Sequence, residues 1–151
     1  MRPVHHDGAF LDLGCANGLL MESAHRWAAE DGRQLDPYGL DASERLVALA
    51  WRRLPHWRDR FFVGDALTWT PPRRFDFVHT MVDLVPGRRR ADWLDRVLRE
   101  FVATRGRLIV RDYAGIGERL RGWGLPVAGI TVQERGDRPA QEAAWMEAPT
   151  R

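Results

Sequence analysis

Apolar runs and helical stripes alternate along this chain. Ala9-Phe10-Leu11-Asp12-Leu13 is an apolar run containing an acid, followed by a loop bounded by Gly14 and Gly18. From Gly18 to Asp31, Leu20, Ala24, Trp27 and Ala28 recur at helical spacing and predict a helix with those four residues turned inward. Gly32 supplies a C-terminal stop. A short strand, Pro37-Tyr38-Gly39-Leu40, ends in Asp41. A second helix follows from Glu44 to Leu54, capped by Asp41 or Ser43 and ended by Pro55. The third strand is Arg60-Phe61-Phe62-Val63, and 68–74, with two prolines, is a loop.

The second half repeats the alternation. Phe75-Asp76-Phe77-Val78-His79-Thr80 is a strand whose period of two puts Phe75, Phe77 and His79 on one face. Trp93, Leu94, Val97, Leu98, Phe101 and Val102 mark one face of a long helix. Gly106 to Arg111 is the fifth strand, and 117–123 is a short helix. Gly129–Glu134 and Glu142–Glu147 read as two strands around Gly136-Asp137-Arg138-Pro139. Strands alternating with helices predict an α/β fold, a doubly wound, mainly parallel sheet with helices on both faces and an antiparallel strand at the end.

At 151 residues the chain is expected to form one domain, 1–151, large enough for a real core. It is 44% hydrophobic and 29% charged, the balance of a globular protein. No apolar run is long enough to cross a bilayer, and the first eight residues lack the apolar core of a signal peptide. The single cysteine, Cys15, excludes an internal disulfide. The expected location is therefore the cytoplasm. The pI is about 9.3 although the net charge is only +2. All the basic residues are arginines, which a GC-rich coding sequence produces, so the pI is no argument for nucleic acid.

Three stretches carry candidate chemistry. In open α/β sheets, ligands sit outside the carboxyl ends of the strands. The Gly14-Cys15-Ala16-Asn17-Gly18 loop is at such a place. Gly14 allows a sharp turn and keeps side chains away from a ligand; Gly18 allows close packing of helix and strand. The helix start offers free N–H groups and a partial positive charge. Cys15, near that start, is a thiol that such a position can activate, although its plainer role is a small residue lining the loop. Asp41 comes 23 residues after Gly18, near the ~20-residue interval at which an acid meets a ribose. A carboxylate accepts two hydrogen bonds and a ribose diol donates two. Gly64-Asp65-Ala66 closes the third strand, where Asp65 either forms an Asx-turn or accepts from a ligand.

Taken in order, these motifs resemble those of the Rossmann-like (class I) methyltransferases that use S-adenosylmethionine (SAM). Leu11-Asp12-Leu13-Gly14 to Gly18 is similar to their motif I, with Ala16 in place of the middle glycine often found there. The fourth strand resembles their F-D-x-V strand. The resemblance covers nearly the whole chain and implies a seven-stranded sheet closed by an antiparallel strand pair. It implies SAM as the cofactor, with Asp12, Gly14, Cys15, Ala16, Asn17 and Gly18 around the methionine end. Asp41 and Ala42 would meet the ribose, and Gly64, Asp65 and Ala66 the adenine. Thr80 and Met81 would lie beside the methyl group. A base is needed only if the acceptor is protonated, and Asp83, Asp112 and His79 are the candidates, with packing as the plainer role for His79. Asp112 and Tyr113 are the leading candidates for substrate contact. No metal is implied.

The resemblance also implies helices before the first strand, yet only a few residues, a largely polar run, precede Ala9. The expectation is a nearly bare cofactor-binding core with little or no cap. Its open site is then covered by a large substrate or completed by a second subunit of the same or another chain; alternatively, the chain binds SAM as a non-catalytic scaffold. A small-molecule acceptor fits best, because the fourth strand lacks the N-P-P-Y motif of base-modifying enzymes; RNA and protein stay open. An NAD-dependent oxidoreductase is the rival enzyme class. The loop lacks G-x-G-x-x-G, and there is no Lys for a Tyr-Lys pair.

Overall fold

The computed structural model describes residues 3–150; Met1, Arg2 and Arg151 lie outside the described residues. Seven strands form one sheet: β1 (Gly8–Leu13), β2 (Leu35–Asp41), β3 (Phe61–Val63), β4 (Phe75–Met81), β5 (Val102–Tyr113), β6 (Val127–Arg135) and β7 (Arg138–Glu147). Their spatial order is β3-β2-β1-β4-β5-β7-β6. The first five strands run parallel, and β7 is antiparallel to both β5 and β6. The order reverses between β1 and β4, so their carboxyl ends diverge there and open a crevice. Four helices connect the strands: α1 (Leu19–Glu30), α2 (Glu44–Arg53), α3 (Arg90–Glu100) and α4 (Ile116–Gly122). No described helix is long and apolar enough to cross a membrane.

Alternation along each strand divides the core. Ala9, Leu11, Leu13, Val78, Leu108 and Val110 pack under α3 and α4. Phe10, Phe77, Ile109 and Trp145 face the α1 side with Ala28 and Leu35. Cys15, Met21, Val47, Ala50, Leu54 and Phe61 seal α1 and α2 onto the β2–β3 edge. Burying such side chains contributes about 1.5–3 kcal/mol each against chain entropy. Phe75 departs from the predicted face. The register shifts between Phe75 and Phe77, and Phe75 joins the α3 side, edge-on to Tyr38.

Local chemistry sets the boundaries. Gly32, at φ 72, ends α1 through Gly32 N–H to Ala29 O and Arg33 N–H to Ala28 O. Ser43 caps α2, its hydroxyl accepting Leu46 N–H at 3.3 Å. Helix α3 stops at Glu100, so Val102, expected on the helix, instead opens β5. The β6–β7 turn is Gly136-Asp137; Arg138 and Pro139 belong to β7. Within α1, Met21 and Ala28 are buried, whereas Trp27, predicted inward, is 52% exposed. The reason is tertiary: α1 packs over β2 and β1, and the helix face beyond them meets no covering element among the described residues.

Candidate functional site

The loop 14–18 is built almost entirely from backbone. Gly14 N–H and Cys15 N–H both donate to Leu40 O, at 2.8 and 3.0 Å, tying the loop to the end of β2. Gly14 is exposed at φ 80, and a Cβ there would lie 2.8 Å from Leu84 of the turn after β4. A Cβ on Gly18 would lie 2.9 Å from Leu54 and 3.0 Å from Phe61, so glycine is what lets α1 approach β3. Ala16 sits at φ 49, in the left-handed region that favours glycine. Asn17 bends back so that its Oδ1 accepts Leu19 N–H at 3.2 Å. Arg53 of α2 donates to Asn17 O and pairs with Glu22, both at 2.7 Å, pinning the loop from outside.

Cys15 contributes its backbone alone. Its side chain is buried beneath Gly39 beside Met21. Burial, then the negative charges of Asp12 and Asp41, push its pKa far above the usual thiol value. The activated-thiol reading is therefore excluded, since only a thiolate is nucleophilic.

Asp41 stands half-buried at the end of β2 and faces this loop. Its Oδ2 accepts Ala16 N–H and its Oδ1 accepts Ser43 N–H, each at 2.9 Å. An ionised carboxylate has about four acceptor positions, so two remain. Ala42 beside it is exposed. Gly64 N–H donates to Asp41 O at 3.1 Å, joining the ends of β2 and β3. Asp65 is exposed there and closes an Asx-turn on Leu67 N–H at 2.9 Å. From the opposite face, Trp93 Nε1 donates to Ala66 O at 2.9 Å, and Arg96 donates to Leu67 O and Trp69 O. Helix α3 thus fixes a turn that has no regular structure of its own.

The three acid–base candidates fall in different places. Asp12 and His79 meet across the β1–β4 ladder, both buried, with His79 Nδ1 donating to Asp12 Oδ1 at 2.8 Å. Both lie on the α1 face, Asp12 one residue before the end of β1 and His79 two before the end of β4, so Asp12 engages His79. Asp83 is exposed in the turn Val82–Leu84, beyond the carboxyl end of β4. Asp112, near the end of β5, is ion-paired with Arg119 of α4. Tyr113 next to it is 58% exposed. Thr80 is wholly buried with its hydroxyl on Met81 O at 3.0 Å, and Met81 is half-buried at the strand end.

The Gly14–Gly18 loop, Asp41, the third-strand turn and the fourth-strand end therefore converge on one edge of the sheet. A family model described as "Methyltransferase domain" matches residues 10–103, spanning that whole edge. The chain belongs to the methyltransferase domain family. The methyltransferase domain is also similar to solved structures. N-methyltransferase NodS from Bradyrhizobium japonicum WM9, in complex with S-adenosyl-L-homocysteine (SAH), is 16% identical with a TM-score of 0.68, over 93% of this chain and 78% of that one. A SAM-dependent methyltransferase from Methanosarcina mazei is 12% identical with a TM-score of 0.71, over 98% and 95%. An O-methyltransferase family 2 protein from Planctomyces limnophilus, in complex with apigenin, is 13% identical with a TM-score of 0.69, over 95% and 51%. At these identities the likeness is one of fold. No curated protein matches the sequence.

Sequence reasoning missed Arg53 and Trp93, which hold the site's loops in this methyltransferase domain, and Glu142, which holds the start of α4. Glu142 is buried and accepts Gly115 N–H at 2.9 Å and Gly117 N–H at 2.8 Å, capping α4 from β7. All three act across long sequence separations. For Glu142 alone there was a local sign, a charged residue at the start of an otherwise apolar stretch of strand.

Proposed function

We propose that this domain binds SAM at the carboxyl edge of β1–β4 and methylates a small-molecule acceptor. The observation that carries the reading is the convergence of Asp41 on the Gly14–Gly18 loop through the 2.9 Å bond to Ala16 N–H. The residues present fit the cofactor. Gly14 leaves a bare, exposed backbone edge, Asp41 keeps lone pairs for a ribose diol, and exposed Asp65 is within the same rim. The charges of Asp12 and Asp41 that raise the Cys15 pKa also make this edge negative, which suits a cationic sulfonium. NodS, solved with SAH, and the Planctomyces limnophilus protein, solved with apigenin, support cofactor and acceptor class respectively.

When bound, SAM supplies an activated methyl: the acceptor's lone pair bonds the methyl carbon, the carbon–sulfur pair stays on sulfur, and SAH leaves. The chain's own residues orient rather than activate. Asp41 would hold the ribose, Asp65 and the Ala66 backbone the adenine, and the Gly14–Gly18 loop the methionine end, while Asp12, expected there too, is engaged with His79. Asp83, exposed beside the fourth-strand end, is the group that takes a proton from a protonated acceptor; Asp112 is committed to Arg119. The cytoplasm is the proposed compartment.

Isothermal titration with SAH, and with NAD in parallel, tests the reading. Saturable binding of SAH alone supports it; binding of NAD alone overturns it. Binding of neither by a folded protein also overturns it for the isolated chain.

A further inference from the structure

Four strands bring one residue each to a single row near the carboxyl edge of the sheet. Met81 of β4 stands level with Arg111 of β5, Arg111 with Ala143 of β7, and Ala143 with Thr131 of β6. Side chains two positions apart on a strand share a face. Arg111 and Ala143 therefore project on the α1 side, as Ile109 and Trp145 do. One row further out on the same face stand Tyr113, Gln141 and Gln133. Ala143 is the small residue of this group, and beside it lies a hollow of about 70 Å³ walled by Arg111, Thr131, Gln133 and Gln141. A water takes up about 30 Å³, so the hollow holds one group the size of a carboxylate.

Each of these four walls offers a hydrogen-bond donor, and none carries a negative charge. Glu142 also borders the hollow, but its carboxylate is turned to the other face and accepts Gly115 and Gly117 N–H. Asp112, the neighbour of Arg111 in sequence, is likewise on that other face, paired with Arg119. Strand alternation thus keeps both acids away from Arg111. Arg111 is half-buried and has no ion-pair partner among the described residues, whereas Arg107 on the same strand is paired with Glu147. Its Nη2 donates to Gln141 Oε1 at 2.8 Å, which fixes the guanidinium plane. A guanidinium has five donors, so four remain for a carboxylate in the forked geometry that arginine favours. Partial burial of a cation without a counter-charge is unfavourable, and an anion in the hollow offsets that cost.

We propose that this hollow binds a carboxylate of the methyl acceptor, held by Arg111, with the acceptor's reacting atom lying towards Met81. This assignment rests on the reading of the domain as a SAM-dependent methyltransferase. Ala143 and Met81 are two strand spacings apart, about 10 Å, so the acceptor carries its carboxylate and its nucleophilic atom at opposite ends. The charges are divided to match. Asp12 and Asp41 make the cofactor side negative, Arg111 makes the β5–β7 side positive, and a cationic sulfonium and an anionic acceptor are drawn to opposite sides of Met81. Arg111 is then a specificity residue for the acceptor.

The test uses two probes of one shape and different charge, cinnamate and cinnamamide, titrated calorimetrically into the SAH-loaded protein. Cinnamate should bind about tenfold more tightly, the worth of a hydrogen bond between charged groups. It should shift the side-chain Nε–H resonance of Arg111 and the backbone amides of Thr131, Gln133 and Ala143. Arg111→Met removes the charge at similar length. Thr131→Glu, at an exposed position, puts a carboxylate across the hollow from Arg111. Each variant should lower the affinity for cinnamate to that for the amide; if Arg111→Met fails to fold, Thr131→Glu still decides. Equal affinity of the two probes, a preference for cinnamate that survives both variants, resonance shifts elsewhere, or no saturable binding of either probe would overturn the proposal. Failure of the probes with SAH binding intact sinks the carboxylate site alone; failure of SAH to bind sinks the cofactor reading and this assignment with it.

Discussion

Asp41 and Ala16, 25 residues apart, are joined by a 2.9 Å bond from the Ala16 N–H to Asp41 Oδ2. The same carboxylate accepts Ser43 N–H through its other oxygen. One side chain at the end of β2 therefore shapes the Gly14–Gly18 loop and the start of α2, and the proposed ribose contact would use its remaining lone pairs. Asp41→Ala should weaken SAH binding at least tenfold, since a hydrogen bond to a charged group contributes about 1.5–3 kcal/mol. It should also lower stability by about 1–3 kcal/mol, because two backbone donors lose their acceptor. Calorimetry with SAH, alongside denaturant melts, separates the effects. Unchanged SAH affinity in a folded variant would refute the ribose assignment.

Ala16 holds a left-handed backbone at φ 49, where a Cβ is strained. The Asp41 bond offsets part of that cost. Ala16→Gly should relieve about 1 kcal/mol of strain, less the entropy that glycine adds to the unfolded chain. The expected result is a small rise in the urea midpoint with an unchanged slope. A lower midpoint would mean that the alanine methyl makes packing contacts outweighing its strain.

These two residues show what was readable from the chain. The strand–glycine loop–helix joint, Asp41 and the Asp65 turn are local features, each signalled by residues a few positions apart, and they are found where expected. What depends on distant partners was not readable. The Asp12–His79 bond spans 67 positions, and nothing local distinguishes a strand carboxylate meeting a histidine from one meeting a ligand. Trp27 was misplaced for a related reason: periodicity identifies an apolar face, and only the neighbouring layer decides whether that face is covered. Cys15 in the loop gave no sign that its side chain turns into the core.

Cys15 carries a pH consequence. Burial first, and then Asp12 and Asp41, raise its folded pKa above the ordinary 9.0. The unfolded thiol therefore releases its proton from about that pH upward while the folded one retains it. Below the ordinary value the two states bind the same proton and this contribution to stability is fully present. Above it the contribution falls by about 1.4 kcal/mol per pH unit. Urea melts between pH 8 and 10.5 should show this extra decline in the wild type relative to Cys15→Ala. At pH 8 the native thiol should resist iodoacetamide that the urea-unfolded chain consumes. Fast alkylation of the folded protein would place the thiol outside the core.

Glu142 bears on whether the second half of the sheet edge stays in place. Its two oxygens accept Gly115 and Gly117 N–H at the start of α4, which packs Ile116 and Leu120 into the core under the β5–β7 strands. Gly117 is also pressed so closely on Ile130 that a Cβ there would lie 2.2 Å from it. Glu142→Gln keeps the shape but turns one acceptor into a donor facing an N–H, and it removes the charge that favours a helix start. The expected loss is about 1–3 kcal/mol of stability with SAH affinity unchanged, because α4 follows β5 and the cofactor loop follows β1. Hydrogen exchange should speed up first at the amides of Gly115 and Gly117. Unaltered exchange there, in a variant as stable as the wild type, would mean that water replaces the carboxylate and that α4 is held by Ile116 and Leu120 alone.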